Sequence, residues 1–322
     1  MKLSIIIVSW NVREGLLRCI RSIEENKPSC TFEVIIVDNA STDGTVDIIQ
    51  KHFSEISLII NNDNRGFAAA NNQALKKSQS KYILFLGPDT IIHPKSLDIL
   101  VEFMDSNEDA GACGPKLLNG EGTIQRSVRR FPSFRGVLYR HTAFRFLGIF
   151  KDEYKKWVMK DFKHNRQMDV DQVMGSALMM RMSVIEQVGR MDESFFMYYE
   201  EVDLCYRIKQ AGWRVVFMPE AVITHLGGRS TGQIPVRKRI MAMASLLKFF
   251  RKHRGKFVTG VFNCVFKPAI IVSDVINVAT GAITYIFAVM ALNKKGREKS
   301  IEKVKKSTIL LAKYSWWLLF KM

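Results

Sequence analysis

Four short polar loops, each following an apolar run, hold most of the chemically capable side chains of this 322-residue sequence: Ser9-Trp10-Asn11, Asp38-Asn39-Ala40-Ser41, Asn61 to Gly66 and Gly87-Pro88-Asp89. Asp38 comes directly after Val34-Ile35-Ile36-Val37. A carboxylate at that edge can accept the N3–H of a uracil or thymine; equally, it can close a turn before a helix capped by Ser41, Thr42 or Asp43. The loop Asn61-Asn62-Asp63-Asn64-Arg65-Gly66-Phe67 runs into Ala68 to Asn72. Its amides, Asn71 included, with Arg65 and a close-approach glycine at a helix start, suit a ribose and a diphosphate. Pro88 sets Asp89 in a turn. A hard Mg²⁺ or Mn²⁺ takes one or two protein carboxylates and completes its shell with phosphate oxygens, so a lone loop aspartate can begin such a site. His225, after the strand-like Ala221 to Thr224, is either a structural histidine or, with Asp89 as partner, a second ligand. The densest acidic run is Tyr198-Tyr199-Glu200-Glu201-Val202-Asp203-Leu204. Acids at a helix N-terminus are favoured by the dipole alone. The same carboxylates can also act as a general base on an acceptor hydroxyl, with Met174-Gly175-Ser176-Ala177 as acceptor-facing backbone.

Holding these side chains requires a scaffold, and the pattern supplies one. Leu3 to Val8, Glu33 to Val37, Ser57 to Ile60 and Tyr82 to Leu86 read as strands, with helices near 12–26, 43–53 and 66–78. Strands apolar on both faces and joined by helices form a covered parallel sheet, which makes residues 1–118 a Rossmann-like half. Ligands of such sheets bind beyond the carboxyl ends of the strands, where all four loops fall. Neither G-x-G-x-x-G nor G-x-x-x-x-G-K-[ST] is present, which removes the main support for a dehydrogenase or a P-loop protein. Residues 126–166 are rich in basic and aromatic types, including Arg129-Arg130-Phe131-Pro132, and read as a solvated connection or a substrate-facing loop. Regular patterning resumes at Val170 to Arg181, Ser183 to Val188, Glu200 to Ala211 and Trp213 to Pro219.

Charge is unevenly distributed. Residues 229–322 carry 19 Lys+Arg against 3 Asp+Glu, which accounts for +16 of the net +17, whereas residues 1–228 carry 29 against 28. A near-neutral body with a basic end excludes disorder throughout and gives the tail an anionic partner, membrane or nucleic acid. Arg237 to His253 puts Ile240, Met243, Leu247 and Phe250 on one stripe of a basic amphipathic helix. Ala269 to Leu292 is long and apolar enough to cross a bilayer, but it contains Asp274 and Asn277 and has basic residues at both ends. An in-plane or re-entrant helix is therefore favoured over a span. Ile309 to Phe320 adds Tyr314, Trp316 and Trp317, types that settle at headgroup level. Because the basic residues alternate with long aliphatic stretches, an anionic membrane surface is favoured over nucleic acid. Five scattered cysteines, Cys19, Cys30, Cys113, Cys205 and Cys264, read as reduced thiols of a cytosolic protein, and Leu3 to Val8 as a buried strand, too short for a signal-peptide core.

In order along the chain, Ser4-Ile5-Ile6-Ile7-Val8-Ser9-Trp10-Asn11, Val37-Asp38-Asn39-Ala40-Ser41-Thr42-Asp43-Gly44, Asn64-Arg65-Gly66-Phe67-Ala68, Pro88-Asp89-Thr90, Phe195-Phe196-Met197-Tyr198-Tyr199-Glu200-Glu201-Val202-Asp203-Leu204 and His225-Leu226-Gly227-Gly228 form a recognisable set. They resemble the family 2 inverting glycosyltransferases, especially the rhamnosyltransferase-like branch, over roughly residues 3–232. The resemblance implies an α/β GT-A fold at 1–232, with a nucleotide-sugar half at 1–118, an acceptor half at 119–232 and a helical membrane-associating region at 233–322. It implies that Asp38 reads the nucleobase and that Ser9, Asn11, Asn39, Arg65, Gly66, Phe67, Asn71 and Asp89 bind the nucleotide-sugar. Asp89 and His225 would hold Mg²⁺ or Mn²⁺, and Glu201 would stand where the family has the Asp of a Glu-Asp pair, the catalytic base. Two departures stand out. Gly87 replaces the usual Asn or Asp two residues before Asp89, and Glu201 is one methylene longer than the usual base, so Glu200 or Asp203 can share or take its role. Gln210 is followed by Ala211-Gly212-Trp213-Arg214, so the Q-x-x-R-W signature of processive synthases is absent and one sugar per encounter is expected.

The expected activity is transfer of a single sugar, rhamnose for preference, from dTDP- or UDP-sugar to a lipid-linked or glycan acceptor of surface polysaccharide at the cytoplasmic face of the membrane. The alternatives are a non-catalytic membrane-binding protein that retains the fold and a nucleotidyltransferase of related fold.

Overall fold

Alternation of apolar runs and helices builds the N-terminal half: β1 (Leu3–Ser9), α1 (Arg13–Glu25), β2 (Phe32–Asp38), α2 (Thr45–His52), β3 (Ser57–Ile60), α3 (Phe67–Leu75) and β4 (Tyr82–Leu86). The strands lie parallel in the order β3-β2-β1-β4, and β1 and β4 are buried at every position. These elements agree with the sequence pattern to within a few residues at each end. The computed structural model describes residues 1–227 and 234–314. They divide into two compact units, Met1–Phe131 with Asp161–Gln233, and Pro132–Lys160 with Ile234–Met322.

Past β4 the first unit continues through β5 (Thr90–Ile92), α4 (Ser96–Ser106), β6 (Ala110–Leu118), β7 (Ile124–Gln125) and β8 (Val128–Arg129). The sequence pattern does not reveal α4 or β6. The reason in β6 is its composition, since Gly111, Gly114 and Pro115 interrupt the apolar run although most of the strand is buried. The second unit receives α5 (Phe134–His141) and α6 (Lys151–Trp157) from the basic segment. The chain then returns to the first unit for β9 (Met168–Asp169), β10 (Gln172–Val173), β11 (Ala177–Arg181), α7 (Met182–Val188), α8 (Glu200–Gln210) and β12 (Arg214–His225).

The sheet is mixed, not wholly parallel. β11 enters antiparallel between β4 and β6, and β12 runs parallel to β6 and antiparallel to β5. β12 unites the two apolar runs seen in sequence. Its register breaks between Met218 and Val222, where Pro219 removes a ladder donor. After the break the strand pairs His225 with Thr90, beside Asp89.

In the second unit, α9 (Pro235–Arg254), α10 (Lys256–Met290) and α11 (Lys294–Ile309) are helical. Ile240, Met243, Leu247 and Phe250 are buried, as their stripe requires, and Phe134 stacks on Phe262 at 4.5 Å between ring centres. α10 spans 35 residues and is the one helix among those described that is long and apolar enough to cross a membrane. Its Asp274 is only 2% exposed and receives both terminal nitrogens of Arg239, at 2.8 and 3.2 Å. The side chain of Tyr314, together with Trp316, Trp317 and Gly228, lies outside the described residues.

Candidate active site

The carboxyl ends of β1 and β2 meet in register, Ser9 beside Asp38 and Asp38 beside Ile60. Asn11 ties their loops together: its N–H donates to Ser41 Oγ at 3.0 Å and its Oδ1 accepts from Thr42 N at 2.7 Å. Asp38 is 1% exposed. Its Oδ2 accepts from Ser41 N at 2.8 Å, which closes the turn, while Oδ1 is enclosed and has no partner. The turn thus uses one carboxylate oxygen and leaves the other. Ser9 Oγ is a second enclosed, unpartnered atom at this edge.

Asn39 has a different position from the one expected of a ligand contact. Its Nδ2 donates to Asn64 Oδ1 at 3.0 Å and Gly66 O at 3.2 Å, and its Oδ1 accepts from Asn61 Nδ2 at 3.0 Å and Arg65 N at 3.2 Å. All four hydrogen-bonding positions of the amide are used to shape the 61–66 loop. At the end of that loop Phe67 N–H donates to Phe196 O at 2.8 Å. Gly66 has φ +84° and its missing Cβ would collide with the Phe196 carbonyl, so glycine alone allows this join. Asn71 donates through Nδ2 to Phe67 O at 2.8 Å, with Oδ1 enclosed and unpartnered. The Arg65 side chain is exposed, 3.6 Å from Asp63.

Asp89 and His225, 136 positions apart in the chain, converge with Nε2 3.4 Å from Oδ1, both side chains mostly enclosed. Leu226 N–H donates to the Asp89 carbonyl at 2.9 Å and fixes the approach. An imidazole nitrogen and a carboxylate oxygen turned toward each other form a donor set that a hard divalent ion accepts. No group of three or more His, Cys, Asp or Glu that could hold a metal occurs among the described residues, so phosphate and water oxygens would have to complete any shell. A Cβ on Gly87 would stand 3.3 Å from Asp89 Oδ1 and 3.4 Å from Ser176 Cβ, so a larger residue there would crowd the Asp89 carboxylate.

Glu200 and Glu201 begin α8 after two consecutive tyrosines in the left-handed region, Tyr198 at φ 68° and Tyr199 at φ 69°. Glu200 is 5% exposed; Glu201 is half-buried with its Oε2 enclosed, and neither Oε2 has a partner. Burial, and then the charge of Glu201, push the Glu200 carboxyl well above the usual range. Burial also raises Glu201, opposed by N–H groups of the helix start and by the charge of Arg129. The Glu201 side chain packs on Gly175, whose Cβ would approach Glu201 Cβ to 3.2 Å. Asp203 is fully buried in an ion pair with Arg207 at 2.9 Å. Arg207 also donates to the Gly189 and Arg190 carbonyls, at 2.9 and 2.8 Å, so Asp203 anchors α8 to that turn. Two further residues stand near these groups: Arg129, which the sequence marks only as part of a basic segment readable as a solvated connection or a substrate-facing loop, and Gln125, whose Oε1 lies 2.7 Å from His225 Nδ1. Nothing in the local sequence distinguishes Gln125.

A mixed sheet with its nucleotide half in the order 3-2-1-4, and a second half returning an acidic helix start and a histidine to the same edge, is the architecture of a GT-A glycosyltransferase. Residues 4–189, over half of the sequence, match the family model described as Glycosyl transferase family 2, and the chain belongs to that family. It is 30% identical over 215 residues to the N-acetylglucosaminyl-diphospho-decaprenol L-rhamnosyltransferase of Mycobacterium tuberculosis, covering 63% of this chain and 69% of the relative. It is also 28% identical over 224 residues to the rhamnosyltransferase WbbL of Escherichia coli, covering 67% and 80%. Among solved structures, the mannosyltransferase PcManGT from Pyrobaculum calidifontis in complex with GDP-Man and Mn²⁺ superimposes with a TM-score of 0.55 at 15% identity, covering 96% of this chain and 86% of that one. The expected fold, family and branch resemblance are borne out.

Proposed function

We propose that this glycosyltransferase moves one sugar, L-rhamnose for preference, from dTDP or UDP to a lipid-linked acceptor in surface polysaccharide synthesis, with inversion at the anomeric carbon. The observation that carries the reading is the group of buried polar atoms without partners at the sheet's carboxyl edge, among them Ser9 Oγ, Asp38 Oδ1, Asn71 Oδ1, Ser176 Oγ and Glu201 Oε2. Unpaired buried polar atoms cost stability, and a binding or catalytic role is one reason for retaining them. In this reading Asp38 Oδ1 accepts the imide N–H of the base. Asn71 and Arg65 contact ribose and diphosphate, while Asn39 and Asn11 hold the loops in shape. The relatives named for rhamnosyl transfer support the sugar, and the decaprenol-linked acceptor of the first supports a lipid-borne one.

Burial and the neighbouring Glu201 charge favour the protonated form of Glu200, while Arg129 and the N–H groups of the helix start favour the charged form of Glu201, which makes Glu201 the better base of the pair. Glu201 takes the acceptor O–H proton as that oxygen bonds the anomeric carbon from one face. The bond from carbon to the diphosphate oxygen breaks on the other face, and its electron pair leaves with the diphosphate. Asp89 and His225 would hold a Mg²⁺ or Mn²⁺, which when bound neutralises charge on the leaving diphosphate. The test is Glu201→Gln with dTDP-rhamnose and a polyprenyl-diphosphate acceptor. Turnover should fall by about 10²- to 10⁴-fold, and a loss under tenfold would remove Glu201 from the role of base. Nucleoside diphosphate, not pyrophosphate, should be released, which separates this reading from a nucleotidyltransferase.

The second unit associates with an anionic membrane surface at the cytoplasmic side. Val258, Val261, Val265, Val272, Ile283, Ile286 and Met290 are exposed at helical spacing along α10, a continuous apolar stripe in a strongly basic segment. A basic amphipathic surface of this kind lies in the interface. The buried ion pair of Asp274 with Arg239 ties α10 to α9, which favours an in-plane helix over a spanning one. Flotation with anionic vesicles should recover the protein; equal recovery with neutral vesicles would remove the electrostatic part.

A further inference from the structure

We infer that Gln125 is a positioning residue for the divalent-ion site: it sets the tautomer and ring orientation of His225 so that Nε2 presents a lone pair beside Asp89. The amide of Gln125 has only one possible orientation. Its Nε2 donates to Asn119 Oδ1 at 3.0 Å and to the His225 carbonyl at 3.3 Å, both acceptors, so the atom facing the imidazole is Oε1. Oε1 lies 2.7 Å from His225 Nδ1. An amide oxygen only accepts, so Nδ1 carries the hydrogen and the neutral ring has its lone pair on Nε2. In that tautomer Nε2 lies 3.4 Å from Asp89 Oδ1, so a cation between them would meet a ring lone pair and a carboxylate oxygen. The amide itself is held from behind. Asn119 closes the hairpin between β6 and β7, with Asn119 N–H to Thr123 O at 2.7 Å and Asn119 Nδ2 to Thr123 Oγ1 at 2.9 Å. A hydrogen bond of this type on the remote nitrogen of a ligating histidine typically governs metal affinity by 10- to 100-fold.

This inference rests on the proposal that Asp89 and His225 hold the ion, and the two can fail separately. The measurement is the affinity for dTDP by titration calorimetry, once with Mn²⁺ and once with EDTA, for the wild type, Asp89→Asn, His225→Ala, Gln125→Leu and Gln125→Glu. The ratio of the two affinities isolates what the ion contributes. In the wild type Mn²⁺ should tighten dTDP. Gln125→Leu should lose 10- to 100-fold of that gain while its affinity in EDTA stays within twofold, and Gln125→Glu, which restores an acceptor, should recover most of it. A purely structural role for Gln125 would weaken binding equally with and without Mn²⁺, and that result would overturn the inference. So would a Gln125→Leu ratio equal to wild type when Asp89→Asn and His225→Ala have lost theirs. A wild type whose dTDP affinity ignores Mn²⁺ would overturn the metal site itself. Should Gln125→Leu not fold, Asn119→Ala leaves Gln125 in place and frees its amide to turn. It should cost several-fold in the same ratio, and no change would count against the positioning role.

Discussion

Asp38→Asn should change which base the protein prefers, and the structure gives the direction. Ser41 N–H, 2.8 Å from Oδ2, is a donor that must keep an oxygen. In the variant the amide oxygen therefore takes the Ser41 side, and the NH₂ takes the place of Oδ1, the enclosed atom without a partner. A uracil or thymine N3–H would then face another donor. The carboxylate bond removed is charge-assisted and worth about 1.5–3 kcal/mol, or roughly ten- to 150-fold in affinity. Cytosine, with an acceptor at N3, suits the amide. UDP, dTDP and CDP titrated calorimetrically into wild type and variant with Mn²⁺ should show UDP and dTDP weakened by that factor, and CDP weakened less or strengthened. Because Oδ2 also closes the turn, the thermal midpoint is followed in parallel. Equal weakening of all three nucleotides, or none, would refute the assignment of Oδ1 to the base.

Glu200→Gln should stabilise the fold increasingly as pH rises. A carboxyl raised by burial keeps its proton in the folded state after the unfolded chain has released it, so wild-type stability falls from about pH 4.5 upward to the raised folded value. The amide lacks this dependence, so the gap between the two melting temperatures should widen across that window; a constant gap would mean Glu200 is not held neutral. Gly66→Ala must take φ +84° with a side chain and move the Phe196 carbonyl, at a cost of about 1–3 kcal/mol, and should weaken nucleotide binding as well as lower the midpoint in urea. Arg239→Met should destabilise the second unit by about 3 kcal/mol because it leaves Asp274 buried and unpaired, and Asp274→Leu added to it should return most of that loss, both measured by chemical denaturation.

The N-terminal half was legible because β1 and β4 are buried along their whole length and β2 over its last four residues, and each helix follows a polar loop, so period and burial agree. Legibility falls where the chain leaves that grammar. In β6 glycine and proline mask a buried strand, and in β12 Pro219 splits one strand into two apparent runs. The antiparallel entry of β11 has no local signal at all, because a strand's direction is decided by the path of the chain before it. The site shows the same division. Asp38, Asp89 and His225 stand at strand ends, where position alone marks them. Asn39 and Asp203 have suitable types at suitable positions, but every hydrogen-bonding group of Asn39 is used by its loop, and Asp203 is locked to Arg207. Residue type predicts capacity; only the fold tells whether that capacity is already spent.

The join at Gly66 and the strain at Tyr198 and Tyr199 belong to one device. The segment from Phe195 to Tyr199 is pinned at one end by the Phe196 carbonyl on Phe67 N–H, and at the other it must start α8 with Glu200 inward and Glu201 toward Gly175. Two consecutive non-glycine residues in the left-handed region cost about 1–3 kcal/mol each, and such strain persists only where the surroundings over-determine it. Here the surroundings are the loop that would carry the donor diphosphate and the helix that would carry the base. Relieving the strain with Tyr199→Gly should therefore stabilise the fold yet cost turnover, because the helix start would no longer be fixed to Gly66. Chemical denaturation and single-turnover transfer on the same variant read the two effects apart. A gain in stability with unchanged turnover would mean that the strained turn does not position Glu201.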